Sequence, residues 1–304
     1  MSEKQSSLRT LFQDWKISYR FAFKNVISFI LGTLGVLVVT VLLMVVLLVI
    51  IVPLFILTIG FEDLVLLFTT LATDFSSISG AAIFGIFALI LLPIAAPVLV
   101  AVGALFGMGR EIVESEGTTA QGVFAWYKSK FLELAGGGII MFLLAILPVG
   151  LLFVFAGPIV FMTPTNATIT VFSAGSVIYL TVVMGLLSMV FPAIIDGHSV
   201  LDAVRVSLKM STRYFDRVFS VWISLIGIPT LLVLPLMLTP YFASIGVIAI
   251  SILGLYGVAV VLFLIFIHFP AAVIVLSRVY MILSGVNGTQ HEETQPDIRL
   301  VGDV

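Results

Sequence analysis

The chain has 304 residues, of which 61% are hydrophobic and only 10% are charged, with a mean hydropathy of +1.28. Soluble domains carry about 25% charged residues, so a soluble fold is excluded and the bilayer must solvate most of the chain. The net charge of −2 says little because the charges are unevenly placed, and the absence of cysteine excludes disulfides and thiolate sites.

Residues 7–25 have the periodicity of an amphipathic helix, with Trp15 and Tyr19 among its apolar positions. Because this segment directly precedes an apolar run, it is predicted to be an interfacial helix lying on the membrane. The alternative is a helix packed on its own protein. No cleavable signal peptide is expected, because the following apolar run is far longer than a signal-peptide core.

Long uncharged runs, separated by charged segments and turn residues, predict an all-α integral membrane protein with six transmembrane helices. The predicted spans are 26–58, 81–109, 135–160, 169–193, 218–238 and 243–276. Residues 61–80 are predicted to form a loop, and turns are placed at 162–168 and 238–241. Residues 1–284 thus form one membrane domain, followed by a disordered acidic cytoplasmic tail at 285–304.

The basic residues lie on one side of this predicted topology. Five fall in the N-terminal segment, three and four in the next two charged segments, and two near the C-terminus, which accounts for all fourteen. The three opposite loops carry none. Since basic residues are retained in the cytoplasm, both termini are predicted to be cytoplasmic in a cell-membrane protein.

The third charged segment has the most detailed local pattern. Asp196 and Gly197 end a helix after Pro192, and Ser199 is predicted to be an N-cap, with Asp202 in the capping-box position. The spacing places an apolar face on one side of the following helix and a basic face on another. The apolar face comprises Leu201, Val204, Leu208, Phe215, Val218 and Trp222, and the basic face Arg205, Lys209 and Arg213, with Arg217 at its end.

A similar unit occurs three times, with starts near residues 7, 118 and 199. Each unit is a basic amphipathic helix followed by a membrane hairpin. The amphipathic helix is predicted to lie at the cytoplasmic interface of the membrane. Glu116-Gly117 matches Asp196-Gly197 at an offset of 80, and Thr118 with Gln121 repeats the capping-box spacing. These features predict a threefold parallel hairpin repeat; the alternative is coincidence, because such caps are common.

The pattern of Pro192, Asp196-Gly197, Ser199, Asp202-Ala203-Val204, Ser207, Arg213 and Phe215 resembles a recurrent motif of one membrane-domain family. That family comprises the membrane domain of glycerophosphodiester phosphodiesterases and related YciC-like uncharacterised multi-pass membrane proteins. The resemblance implies a six-helix membrane domain with cytoplasmic interfacial helices. It does not imply catalysis, which in the phosphodiesterases resembles the work of a separate soluble domain.

The chain has few candidates for chemistry. His268 is the one ionisable residue inside a predicted span, and it is interpreted as a buried histidine with a backbone partner rather than a proton relay. Asp196, His198 and Asp202 are close enough in sequence to suggest metal ligands, but a capped helix start already explains both acids. With no nucleotide-binding or hydrolase motif, no enzyme activity, cofactor or metal is predicted.

The basic stripes predict membrane lipids, anionic ones among them, as partners; the alternative is the positive-inside bias alone, with no lipid specificity. No nucleic acid is expected, and no protein partner can be named. The predicted contacts with lipid headgroups or a partner are Lys16, Arg20, Lys24, Lys128, Lys130, Arg205, Lys209, Arg213 and Arg217. The leading hypothesis is a structural or regulatory membrane protein; the alternative is a transporter or exporter of a lipid-like or small apolar solute.

Overall fold

The computed structural model describes residues 8–73, 80–162, 166–241 and 246–285, and every regular element in these ranges is helical. The all-α fold is therefore confirmed for this part of the chain. The helices are α1 (Leu8–Lys24), α2 (Val26–Ile59), α3 (Phe61–Thr73), α4 (Gly80–Ser115), α5 (Ala120–Ser129), α6 (Phe131–Met162), α7 (Asn166–Leu186), α8 (Val190–Ile195), α9 (Val200–Arg213), α10 (Phe215–Val233), α11 (Val247–Phe263) and α12 (Phe269–Ser284). A 3-10 turn (Leu234–Leu238) follows α10, and a π-helical turn (Leu264–His268) joins α11 to α12.

Five stretches of the described residues are long and apolar enough to cross a membrane. They are Val26–Leu54, Phe131–Leu152, Ala167–Ile195, Phe215–Tyr241 and Ile250–Ser284. These lengths indicate a membrane protein, because about 20 apolar residues suffice to cross the hydrocarbon. The predicted span 81–109 lies within the continuous helix α4, which is not among the five, so the sixth span stays a prediction.

The observed helix boundaries differ from the predicted ones where hydropathy is a poor guide. α4 continues past Arg110 to Ser115, and a turn at 187–189 divides the predicted span 169–193 into α7 and α8. Residues 61–73 form helix α3 where a loop was predicted, and the chain is still helical at 239–241, where a turn was predicted. Within the turn predicted at 162–168, residues 163–165 lie outside the described residues, as does the predicted tail after Gly285.

Each of the three basic helices joins its following long helix through a single residue. The junctions are Asn25, Lys130 and Tyr214, with φ of −109°, −118° and −119° and ψ of 17°, 19° and 44°. All three lie close to the sparsely populated bridge region of backbone space. The same bend therefore turns the chain from α1 into α2, from α5 into α6 and from α9 into α10.

The basic helices also pack in a common way. α5 packs on α4, α9 packs on α8, and α1 packs on α12, the last of the described helices. α5 and α9 thus each contact the helix directly before them in the chain, and α1 contacts the last described one. α8 and α12 are the most buried of these helices: all six residues of α8 and twelve of the sixteen in α12 are buried.

Glycines allow these helices to approach closely. A Cβ added at Gly107 of α4 would lie 2.2 Å from Cγ of Trp126 on α5, and one at Gly35 of α2 would lie 2.3 Å from Cζ of Phe124. Gly103, the other glycine of the Gly103-x-x-x-Gly107 pair, faces Leu134 and Phe191. These glycines therefore serve packing within the chain: Gly35 and Gly107 let α5 pack closely on α2 and α4, and Gly103 lets α6 and α8 pack on α4.

Replacing Gly107 with alanine should destabilise the protein by about 1–3 kcal/mol, because the new methyl group displaces the Trp126 indole. Gly175 on α7 is a matched control, since nothing lies within 4 Å of a Cβ added there. Gly175→Ala should be neutral or stabilising by up to about 1 kcal/mol from helix propensity alone. Equilibrium unfolding in mixed detergent micelles measures both variants, and equal free energies of unfolding would refute the close packing of α5 on α4.

Candidate functional site

The exposed basic side chains of α1, α5 and α9 form what we call the basic surface. Lys16, Arg20 and Lys24 on α1, Lys128 on α5, and Arg205, Lys209 and Arg213 on α9 are all exposed. Lys130, at the junction after α5, is less exposed and lies 3.9 Å from a carboxylate oxygen of Glu133. Eight of the nine predicted headgroup contacts therefore keep at least part of their side chain accessible.

Large apolar side chains are exposed beside these cations. On α1, Leu8, Phe12 and Phe23 are 76%, 71% and 57% exposed, and on α9 Leu201 is 61% exposed. Each helix therefore has a face packed on the protein, an exposed apolar face and an exposed basic face. An exposed apolar strip beside a basic one is the pattern of a helix at the membrane interface. α1 packs on its own protein, as its predicted alternative states, and its placement at the membrane interface stays a prediction.

The predicted apolar face of α9 is only partly correct. Leu201 and Leu208 are exposed, whereas the buried face consists of Ala203, Val204, Ser207 and Ser211. The hydroxyl of Ser207 donates to the Leu186 carbonyl oxygen at 2.7 Å and accepts from the Met189 backbone N–H at 3.2 Å. Ser211 donates to the same carbonyl at 3.1 Å. These serines bind backbone groups that the turn between α7 and α8 leaves without helical partners.

Arg217 is not part of the basic surface, and its prediction as a headgroup contact is wrong. Its side chain is 5% exposed, and its Nη2 donates to Oδ2 of Asp14 at 2.6 Å. Arg278 donates from Nε to Oδ1 of the same carboxylate at 3.3 Å. Asp14, 3% exposed, thus lies between two arginines and joins α1 to α10 and α12. We call these three residues the Asp14 cluster.

Aromatic and polar contacts extend this attachment along α1. Trp15 donates from Nε1 to the Ser224 hydroxyl at 2.7 Å, and the Tyr19 hydroxyl lies 2.7 Å from Nδ1 of His268. Nε2 of His268 lies 3.3 Å from the Leu225 carbonyl oxygen, and the ring stacks on Trp15. Both nitrogen contacts are satisfied when His268 carries its proton on Nε2. This geometry supports a buried histidine with a backbone partner.

Part of the predicted structural motif lies at a second, partly buried cluster. Asp196 ends α8 and accepts from Nη1 of Arg110 at 2.8 Å and from the Tyr280 hydroxyl at 3.0 Å. Pro192 is buried within α8, and Gly197 has φ of +102°, a conformation that favours glycine. α4, α8 and α12 each contribute one polar group here, which we call the Asp196 cluster.

The two predicted helix caps have different outcomes. Ser199 is the N-cap of α9: its hydroxyl accepts from the Asp202 backbone N–H and donates to the Asp202 carboxylate at 2.6 Å. This hydrogen bond lowers the pKa of Asp202 below its ordinary value. Thr118 is not a cap, because Thr119 holds that position and the Thr118 hydroxyl instead donates to Glu111 at 2.7 Å.

No group of three His, Asp or Glu side chains in the part of the chain that the structure describes is arranged to hold a metal ion. Asp196 pairs with Arg110, and Asp202 accepts a hydrogen bond from Ser199. Comparison of the chain with protein-family models, with curated proteins and with solved structures gives no match. The phosphodiesterase-type resemblance therefore rests on the motif residues alone.

Replacing Asp14 with asparagine should destabilise the protein by about 3–5 kcal/mol, because Arg217 would stay buried without a counter-charge. Glu116→Gln is the control: its ion pair with Lys24 joins side chains that are 65% and 56% exposed, so its loss should cost under about 1 kcal/mol. Chemical unfolding measures both variants. In a double-mutant cycle, Asp14→Leu with Arg217→Met should cost less than the two single changes summed; additive costs would contradict the pairing.

Tyr19 should make stability fall at alkaline pH. Burial raises the pKa of its hydroxyl to about 12, from about 10 in an unfolded chain. The folded state therefore retains a proton that the unfolded state has lost, so this contribution is complete below pH 10 and disappears as the pH rises toward 12. Unfolding measured from pH 9 to 12 should show a shallower decline in Tyr19→Phe, and parallel curves would refute the assignment.

Proposed function

We propose that this protein is a non-enzymatic multi-pass membrane protein with a structural or regulatory role, whose basic surface binds anionic lipid headgroups at the cytoplasmic face. The observation that carries the proposal is the pairing of exposed cations with exposed large apolar side chains on α1 and α9. Apolar side chains inserted at the interface would hold the basic side chains at headgroup level.

Polar contacts between the charged segments support six spans. Lys24 pairs with Glu116, Arg110 with Asp196, and Asp14 with both Arg217 and Arg278. All four charged segments therefore meet on one side, which requires an even number of crossings between consecutive segments. With α4 as the second span, the chain makes three hairpins. The basic residues of the charged segments favour a cytoplasmic location for the side on which these segments meet, and so for both termini.

Two features support the threefold repeat. The junction residues Asn25, Lys130 and Tyr214 have nearly the same conformation, and α5 and α9 each pack on the helix directly before them in the chain, as α1 packs on the last described one. Units related in this way enter the membrane from the same side, as the parallel repeat requires. The resemblance to the phosphodiesterase-type membrane domain is consistent with this arrangement, and membership of that family is part of the proposal.

A transporter of a lipid-like or apolar solute is the alternative function. The Asp196 cluster borders a cavity of about 10 Å³ between α4, α8 and α12, which is the space of a single water molecule. Passage of a solute beside this cluster would therefore require α4, α8 and α12 to separate. Among the described residues, this close packing favours a structural or regulatory role over transport.

Neutralising one basic stripe tests the proposed function. Changing Arg205, Lys209 and Arg213 together to glutamine should weaken binding to anionic vesicles by up to about 100-fold, at about 1 kcal/mol for each cation. The control exchanges the cations while keeping their charge, as Arg205→Lys, Lys209→Arg and Arg213→Lys, and should bind as the wild type does. Binding of the purified protein to phosphatidylserine and phosphatidylcholine nanodiscs measures both, and unchanged binding by the glutamine variant would exclude this stripe as the contact.

A further inference from the structure

A second surface feature, an apolar groove between α2 and α4, is separate from the basic residues. The groove has a volume of about 340 Å³, and its lining is almost entirely apolar. Its α2 wall runs from Thr33 to Met44, its α4 wall includes Ala101 and Val102, and Phe269 of α12 completes it. Val41 on its outer rim is 49% exposed, so the groove is open to the side.

The length of the groove suits one extended hydrocarbon chain. The eleven-residue step from Thr33 to Met44 corresponds to about 16 Å along the helix, about half the thickness of the bilayer hydrocarbon. An acyl chain that enters from one leaflet spans the same depth, so it can lie along the whole groove.

The position along α2 also fits a lipid. Its wall lies within the apolar stretch Val26–Leu54 that is able to cross a membrane, so acyl chains surround it rather than water. Thr33 is seven residues beyond Val26, where α2 begins after α1, or about 10 Å along the helix. A phospholipid with its headgroup at the level of the basic residues of α1 would therefore place a chain at the start of the groove.

We propose that this groove binds one acyl chain of a phospholipid from the leaflet that the basic surface faces. The inference takes its orientation from the proposed function, but the groove itself recognises hydrocarbon and requires no anionic headgroup. The groove therefore adds a second contact with the same lipid. The headgroup would meet the basic residues of α1, and one acyl chain would lie between α2 and α4. A lipid held at both ends would dissociate more slowly than the surrounding bilayer lipids.

Filling the groove tests this inference. Ala101→Trp places an indole in the groove, and Val41→Trp fills it from the exposed rim with less risk to folding. The control, Ala259→Trp, makes the same alanine-to-tryptophan change at an exposed position of α11. Each protein is reconstituted with phosphatidylcholine, which has no net charge, extracted into mild detergent and examined by native mass spectrometry for bound phospholipid.

The wild type and Ala259→Trp should each retain one phospholipid that Ala101→Trp and Val41→Trp lose. If Ala101→Trp does not fold, Val41→Trp decides the result alone. Retention of the same lipid by both folded groove variants would overturn the proposal, as would a wild-type dimer that these variants dissociate. The lipid in this experiment carries no net charge. Loss of lipid from the groove variants therefore supports the acyl-chain site even if the variant with Arg205, Lys209 and Arg213 changed to glutamine binds anionic vesicles as the wild type does.

Discussion

The carboxylate of Asp14 joins α1, the first described helix, to α10 and α12. It lies between Arg217 and Arg278, far along the sequence, and nearly all of its surface is removed from solvent. Burying charges is costly unless they are paired and hydrogen-bonded, so this contact fixes the position of α1 closely. Trp15, Tyr19 and His268 continue the attachment toward α11. The attachment of α1 depends on the residues of its inner face alone. Its outer faces can therefore present basic and apolar side chains that make no contribution to this attachment.

The three basic helices show how one short helix serves two environments. On α9 the inner face is made of alanine, valine and serine, and the serine hydroxyls satisfy backbone groups at the break between α7 and α8. Large leucines are placed outside, where a soluble protein would seldom keep them. Small inner residues allow close approach to the bundle, and the large outer residues are the ones that would contact lipid under the proposed function.

The apolar helices are predicted well from the sequence, because long uncharged runs and the placement of charges between them are patterns that extend over tens of residues. The sequence predicts local partners less well. Arg205, Lys209, Arg213 and Arg217 continue one four-residue spacing, but the bend at Tyr214 ends the helix and turns Arg217 toward Asp14. Asp14 is not among the predicted site residues. The available signal was its four-residue spacing with Ser18 and Ala22, a small and polar strip that faces inward with it.

The distance in sequence between Asp14 and its partners affects the order in which the protein matures. Arg217 and Arg278 follow it by 203 and 264 residues. A ribosome adding about 5–20 residues each second needs roughly 10–50 s to supply them. During that interval the Asp14 carboxylate has neither of these arginines as a partner. The complete Asp14 cluster can therefore form only after α12 has been synthesised.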